Sequence, residues 1–123
     1  MIHKPNLLIV DDDIASQLVY EAMFSGTFNV ITASSGFEAL GIFKEEIITM
    51  VFMNCQMPVM SGFETAKQMR MIEGKSATPI IFVTAFDSDH IFEENPMAFQ
   101  KELFIHKPFD SQDISKKLEQ FLW

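Results

Sequence analysis

The chain has 123 residues, room for one domain, and 48% of them are apolar, enough for a core of ordinary size. Seventeen acidic against nine basic residues give a net charge of −8, and the basic residues are scattered, which excludes a nucleic-acid-binding face of clustered Lys and Arg. One cysteine, Cys55, excludes an internal disulfide and fits a reducing compartment; Pro5 and Asn6 interrupt any signal peptide, and no apolar run nears the ~20 residues that cross a bilayer, so a cytoplasmic protein with no membrane partner is expected.

Short apolar runs alternate along the chain with longer segments of helical period. Leu7 to Val10 is a continuous apolar run ending in Asp11, the pattern of a strand buried on both faces. Asp13 is placed to cap the next helix, whose apolar face is read as Ile14, Leu18, Val19, Ala22 and Met23. Phe28 to Thr32 reads as a second strand. Ser35 and Gly36 open a helix carrying Phe37, Leu40 and Phe43. Met50 to Met53 is a third buried strand. After the Pro58 turn, Ser61 caps a helix running to about Ile72, with Glu64 completing a capping box. Pro79 to Thr84 is the fourth strand. A weak helix over Ile91 to Glu102, interrupted by Pro96, precedes a fifth strand at Leu103 to Ile105, and Ser111 caps the last helix.

Strands alternating with helices predict an α/β fold with a parallel, doubly wound sheet and helices on both faces, in one domain spanning residues 1–123. Such sheets bind ligands at the carboxyl ends of their strands. There the sequence sets Asp11, Asp12 and Asp13 after the first strand, Asn54 after the third, Thr84 after the fourth, and His106-Lys107 after the fifth. Gathered carboxylates repel and call for a cation; Mg²⁺ suits them, since it takes a few oxygen ligands and keeps waters for a phosphate. Thr84 and Lys107 could then hold phosphoryl oxygens. Cys55, directly after Asn54, reads as an inert buried thiol, and His3, His90 and His106 have no metal-ligand spacing.

These motifs, residues 7–13, then 54–64 (Asn-Cys-Gln-Met-Pro-Val-Met-Ser-Gly-Phe-Glu), 79–85 and Lys107-Pro108-Phe109, resemble those of the receiver domains of two-component response regulators and hybrid histidine kinases. The resemblance covers Leu7 to about Leu122. It implies a flavodoxin-like five-stranded sheet of order 2-1-3-4-5 and an aspartate that accepts a phosphoryl group at the end of the third strand. Asp11 and Asp12 match the Mg²⁺-binding pair and the Gln56 backbone carbonyl matches the third protein ligand. Thr84 and Lys107 match the phosphoryl-sensing hydroxyl and ammonium, Phe104 matches the switch aromatic, and the Lys107–Pro108 bond is expected cis. The implied partners are a histidine kinase or histidine phosphotransfer protein and an output domain, and a homodimer is left open.

Asn54 stands at the acceptor position, and a neutral amide forms no acyl phosphate. Two histories fit: a natural pseudo-receiver, or an aspartate replaced to hold a normal receiver unphosphorylated. Ser61 after the Met-Pro turn, residues 99–102 in place of a small turn, and Pro96 favour the first; intact Asp11, Asp12, Thr84 and Lys107 favour the second. A rival from another class, a haloacid-dehalogenase-like Mg²⁺ phosphatase, would use Asp11, Asp13, Thr84 and Lys107. The chain is short for it and no late acidic pair completes its metal site. Phe92, Phe99, Phe109 and Trp123 lie near the expected signalling face and are read as core residues first, partner anchors second.

Overall fold

The structure, a computed structural model, describes residues 4–74 and 77–84 in full and residues 104–106 as backbone. Strand β1 (Asn6–Val10), helix α1 (Ile14–Phe24), β2 (Asn29–Ala33), α2 (Gly36–Glu45), β3 (Met50–Asn54), α3 (Gly62–Arg70), β4 (Ile80–Thr84) and β5 (Phe104–His106) follow one another in the chain. The strands are all parallel, in the order β2-β1-β3-β4-β5. The expected helix over 91–102, the helix from Ser111, the Lys107–Pro108 bond and the aromatic residues 92, 99, 109 and 123 lie outside the described residues.

Sheet alternation divides the core into two. Leu8, Val10, Val51, Met53, Ile80 and Phe82 face one side, where Ala39, Leu40 and Phe43 of α2 and Ala66 and Met69 of α3 cover them. Leu7, Ile9, Met50, Phe52, Ile81 and Val83 face the other, against Tyr20 and Phe24 of α1. Each central strand therefore buries both faces, the reason its sequence is apolar without a break. Phe52 is the hinge of the second layer, with its ring edge-on to both Tyr20 (centroids 6.1 Å apart) and Phe24 (5.3 Å).

The helix starts follow their caps. Asp13, Ser35 and Ser61 each accept a backbone N–H of the first turn, from Ala15, Glu38 and Glu64. Strand ends shift by one residue: β2 runs to Ala33 and leaves Phe28 outside it, buried, with its N–H on the Phe24 carbonyl. Of the expected fifth strand, Phe104 and Ile105 lie in β5, which runs on to His106, and Leu103 lies outside the described residues.

The expected faces of α1 and α2 need correction. Ile14, Leu18 and Val19 are exposed, at 64, 62 and 57%, and Ala22 is exposed too; the buried stripe is Gln17, Tyr20 and Phe24, with Met23 half-buried beside it. The two aromatic rings pack on Phe52 of the sheet or beside it, and Gln17 enters the stripe because its amide finds partners there. On α2, Leu40 and Phe43 are buried and Phe37 is exposed.

One residue sits in a costly conformation. Val59, in the turn after β3, has φ of 70° and is 91% exposed, so a β-branched side chain holds a left-handed backbone with no packing in return. Val59→Asn relieves this strain and raises the unfolding free energy by about 1 kcal/mol, read as a higher urea midpoint at unchanged slope. An unmoved midpoint would mean that the turn carries no strain at this residue.

Candidate functional site at the carboxyl ends of the strands

Sheet register assembles the site. Val10 pairs with Met53, so the next residues, Asp11 and Asn54, share a row, and Asn54 pairs with Val83. Asp12 and Thr84 follow one residue further along. Thr84 is buried at the end of β4, opposite His106 of β5. Of Phe104 only the backbone is described, and Lys107 lies outside the described residues.

Asp11 is 2% exposed, and main-chain bonds fix it on both sides. Its N–H donates to the Ala33 carbonyl (3.0 Å), and its Oδ1 accepts the N–H of Asp13 at 2.9 Å. Its carbonyl accepts the Gln17 amide at 2.7 Å, and the same Nε2 reaches Ser34 Oγ at 3.0 Å, so one buried amide ties the ends of β1 and β2 together. Tyr20, also on α1, lies within the field of Asp11; burial first, and then that charge, push its phenol above the ordinary range and keep it protonated. Gln17 and Tyr20 were missed as site-supporting residues. The legible signal was an amide and a phenol three residues apart, at the spacing of a single helix face.

Asp12 is exposed, and Asn54 is half-buried across from it. The Asn54 amide nitrogen donates to Asp12 Oδ1 at 3.2 Å and to the Gln56 carbonyl at 2.9 Å. Asp13 points elsewhere: its carboxylate accepts Ala15 N–H at 3.2 Å and Ser16 Oγ–H at 2.9 Å, and is spent on the cap of α1. Cys55 is buried, with its N–H on the Val83 carbonyl.

Gly62 sets how closely α3 approaches this edge. Its N–H donates to the Cys55 carbonyl at 2.9 Å, and a Cβ there would run into the Asn54 carbonyl oxygen and lie 2.9 Å from Met53 Cγ. Only glycine lets the helix start at that depth.

Among the described residues no group of three His, Cys, Asp or Glu side chains gathers into a metal cage, and no helix is long and apolar enough to cross a membrane. The oxygen donors at the strand ends are two carboxylates, the Gln56 carbonyl and the Asn54 amide oxygen. They are hard ligands of the type Mg²⁺ takes, with one negative charge fewer than three carboxylates would supply. An open depression of about 530 Å³ between β2 and α2, lined by Glu38, Glu45 and Glu46 among others, includes none of these residues.

Residues 7–119 match the response regulator receiver domain family. The chain is 32% identical over 120 residues to the transcriptional regulatory protein ZraR of Salmonella typhimurium, covering 97% of this chain and 26% of that protein. It is 29% identical over 122 residues to the probable transcriptional regulator ycf27 of Cyanophora paradoxa, covering 98% of this chain and 49% of that protein. The chain thus spans between a quarter and a half of the length of these relatives. Among solved structures it superposes on the chemotaxis protein CheY4 of Vibrio cholerae with a TM-score of 0.86 at 29% identity, covering 97% of this chain and 99% of that one. The receiver domain of the sensor histidine kinase PA1611 of Pseudomonas aeruginosa, with a magnesium ion coordinated in its active site cleft, shares the fold at a TM-score of 0.85 and 24% identity, with 96 and 97% covered. With its parallel sheet and acidic strand ends, this chain belongs to the response regulator receiver domain family.

Proposed function

We propose that this chain is a regulatory receiver module of two-component signalling that its partners read in one fixed, unphosphorylated state. The observation that carries the reading is the identity and setting of Asn54: it ends β3 beside Asp12, where the family resemblance puts the phosphoryl-accepting aspartate. A carboxylate oxygen there attacks the phosphorus of a phosphohistidine; an amide is too poor a nucleophile and gives no acyl phosphate. The pocket is otherwise equipped for the chemistry. Asp11, Asp12, the Gln56 carbonyl and the Asn54 amide oxygen are the residues that would hold Mg²⁺, which when bound neutralises phosphoryl oxygens. Thr84 supplies the hydroxyl and Lys107 the ammonium toward the same group, and Phe104 is the switch aromatic.

The module acts by binding and performs no turnover of its own. Its partners are a histidine kinase or histidine phosphotransfer protein and an output domain, on the same chain or another. The phosphatase alternative finds less support, because Asp13, its second aspartate, is engaged in capping α1. Intact mass after incubation with Mg²⁺ and a small-molecule phosphodonor tests the proposal. The native chain is expected to stay unmodified while Asn54→Asp gains one phosphoryl group. A phosphoryl group on the native chain would sink the reading, and hydrolysis of a chromogenic phosphate ester would favour the phosphatase.

A further inference from the structure

We infer that the Asn54 carboxamide does the work of a bound cation, holding the acidic pocket assembled without Mg²⁺. The inference rests on the receiver reading for the identity of the metal ligands, and on the hydrogen bonds for the rest. Asn54 Nδ2 faces two acceptors at once, Asp12 Oδ1 at 3.2 Å and the Gln56 carbonyl at 2.9 Å. Both are oxygens with no proton to give, so only the nitrogen end of the amide can meet them, and its orientation is thereby fixed. The same two oxygens are those the resemblance assigns to Mg²⁺.

The substitution changes the sign of the contact. An aspartate at this position would turn a third carboxylate oxygen toward Asp12 and the Gln56 carbonyl beside buried Asp11, adding like-charge repulsion that a bound cation relieves. The amide turns a partial positive charge there instead, and its bond to Asp12 is charge-assisted. For Mg²⁺ to be ligated by Asn54, the amide must rotate end over end, giving up both hydrogen bonds to present Oδ1. The ion therefore loses one anionic ligand and competes with two contacts already made. Its affinity for the native chain falls on the order of 100-fold or more below that of Asn54→Asp, beyond what loss of an outer-shell partner alone brings.

Thermal unfolding of three chains, native, Asn54→Asp and Asn54→Ala, each in EDTA and in excess Mg²⁺, reads this directly. The native chain is expected to melt at the same temperature in both conditions. Asn54→Asp is expected to melt lower than native in EDTA and to climb with Mg²⁺ by mass action. Asn54→Ala, which lacks the amide, is expected to melt lower than native in EDTA. A native midpoint that rises with Mg²⁺ as far as that of Asn54→Asp would overturn the inference, as would an Asn54→Ala chain as stable as native in EDTA. If Asn54→Asp fails to respond to Mg²⁺, the receiver reading of the ligands fails, while the native and Asn54→Ala midpoints in EDTA still decide whether the amide holds the pocket.

Discussion

Replacing Phe52 by alanine lowers the unfolding free energy by about 3–5 kcal/mol, the largest effect expected of any single change in the described core. Phe52 is fully buried in the middle of the central strand β3, and its ring edge meets Tyr20 and Phe24 at once. Truncation leaves a void bounded on one side by strands β1 and β4, which the ladder holds in place, so little collapse can refill it. Of a stability that for small domains is typically about 5–15 kcal/mol, this is a large share. Urea unfolding followed by far-UV circular dichroism measures it. A loss below about 1 kcal/mol would mean that α1 can settle onto the gap and that its packing is looser than the ring geometry implies.

Gly62→Ala is expected to cost about 2 kcal/mol net, and to act on the site as well as on stability. Alanine in a helix is favoured over glycine by about 1 kcal/mol, which works against the loss. The added methyl, however, runs into the Asn54 backbone carbonyl and Met53, and backbone at the end of a central strand cannot step aside as a flexible side chain would. Overpacking of this kind costs typically about 1–3 kcal/mol, occasionally more. Helix α3 must lift, breaking the 2.9 Å bond from Gly62 N–H to the Cys55 carbonyl and shifting Asn54 against Asp12. The check is a lowered urea midpoint together with a moved Asn54 side-chain amide resonance. A stabilised chain with that resonance unmoved would show that the close approach is not required.

The strands were readable because a strand buried on both faces has no polar residue to interrupt it, and Leu7 to Val10 and Ile80 to Val83 have none. Helix starts were readable because a cap is a local chemical event, decided by Asp13, Ser35 and Ser61 within a few residues. The face of α1 was not. Ile14, Leu18 and Val19 form as good an apolar stripe as Tyr20 and Phe24 do, and the choice between them is made by what the sheet offers opposite. Gln17 illustrates the point: its burial makes sense only once the carbonyl of Asp11 and the hydroxyl of Ser34 are known to meet above the strand ends. At the site, the sequence named the residue types. Which end of the Asn54 amide faces Asp12 depends on acceptors contributed by separate loops, and no local pattern carries that.

The contact between Asn54 and Asp12 joins residues 42 positions apart in the chain. Asp11, Asn54 and Thr84 each hang from a different parallel strand, and parallel strands meet only through a crossover. Loop closure must therefore be completed twice before these residues share an edge, and no fragment shorter than the stretch from β1 to β4 can present them together. The pocket thus depends on long-range pairing, and its residues come together only where all three strands are paired. On the proposed receiver reading, recognition through that edge requires β1, β3 and β4 to be paired.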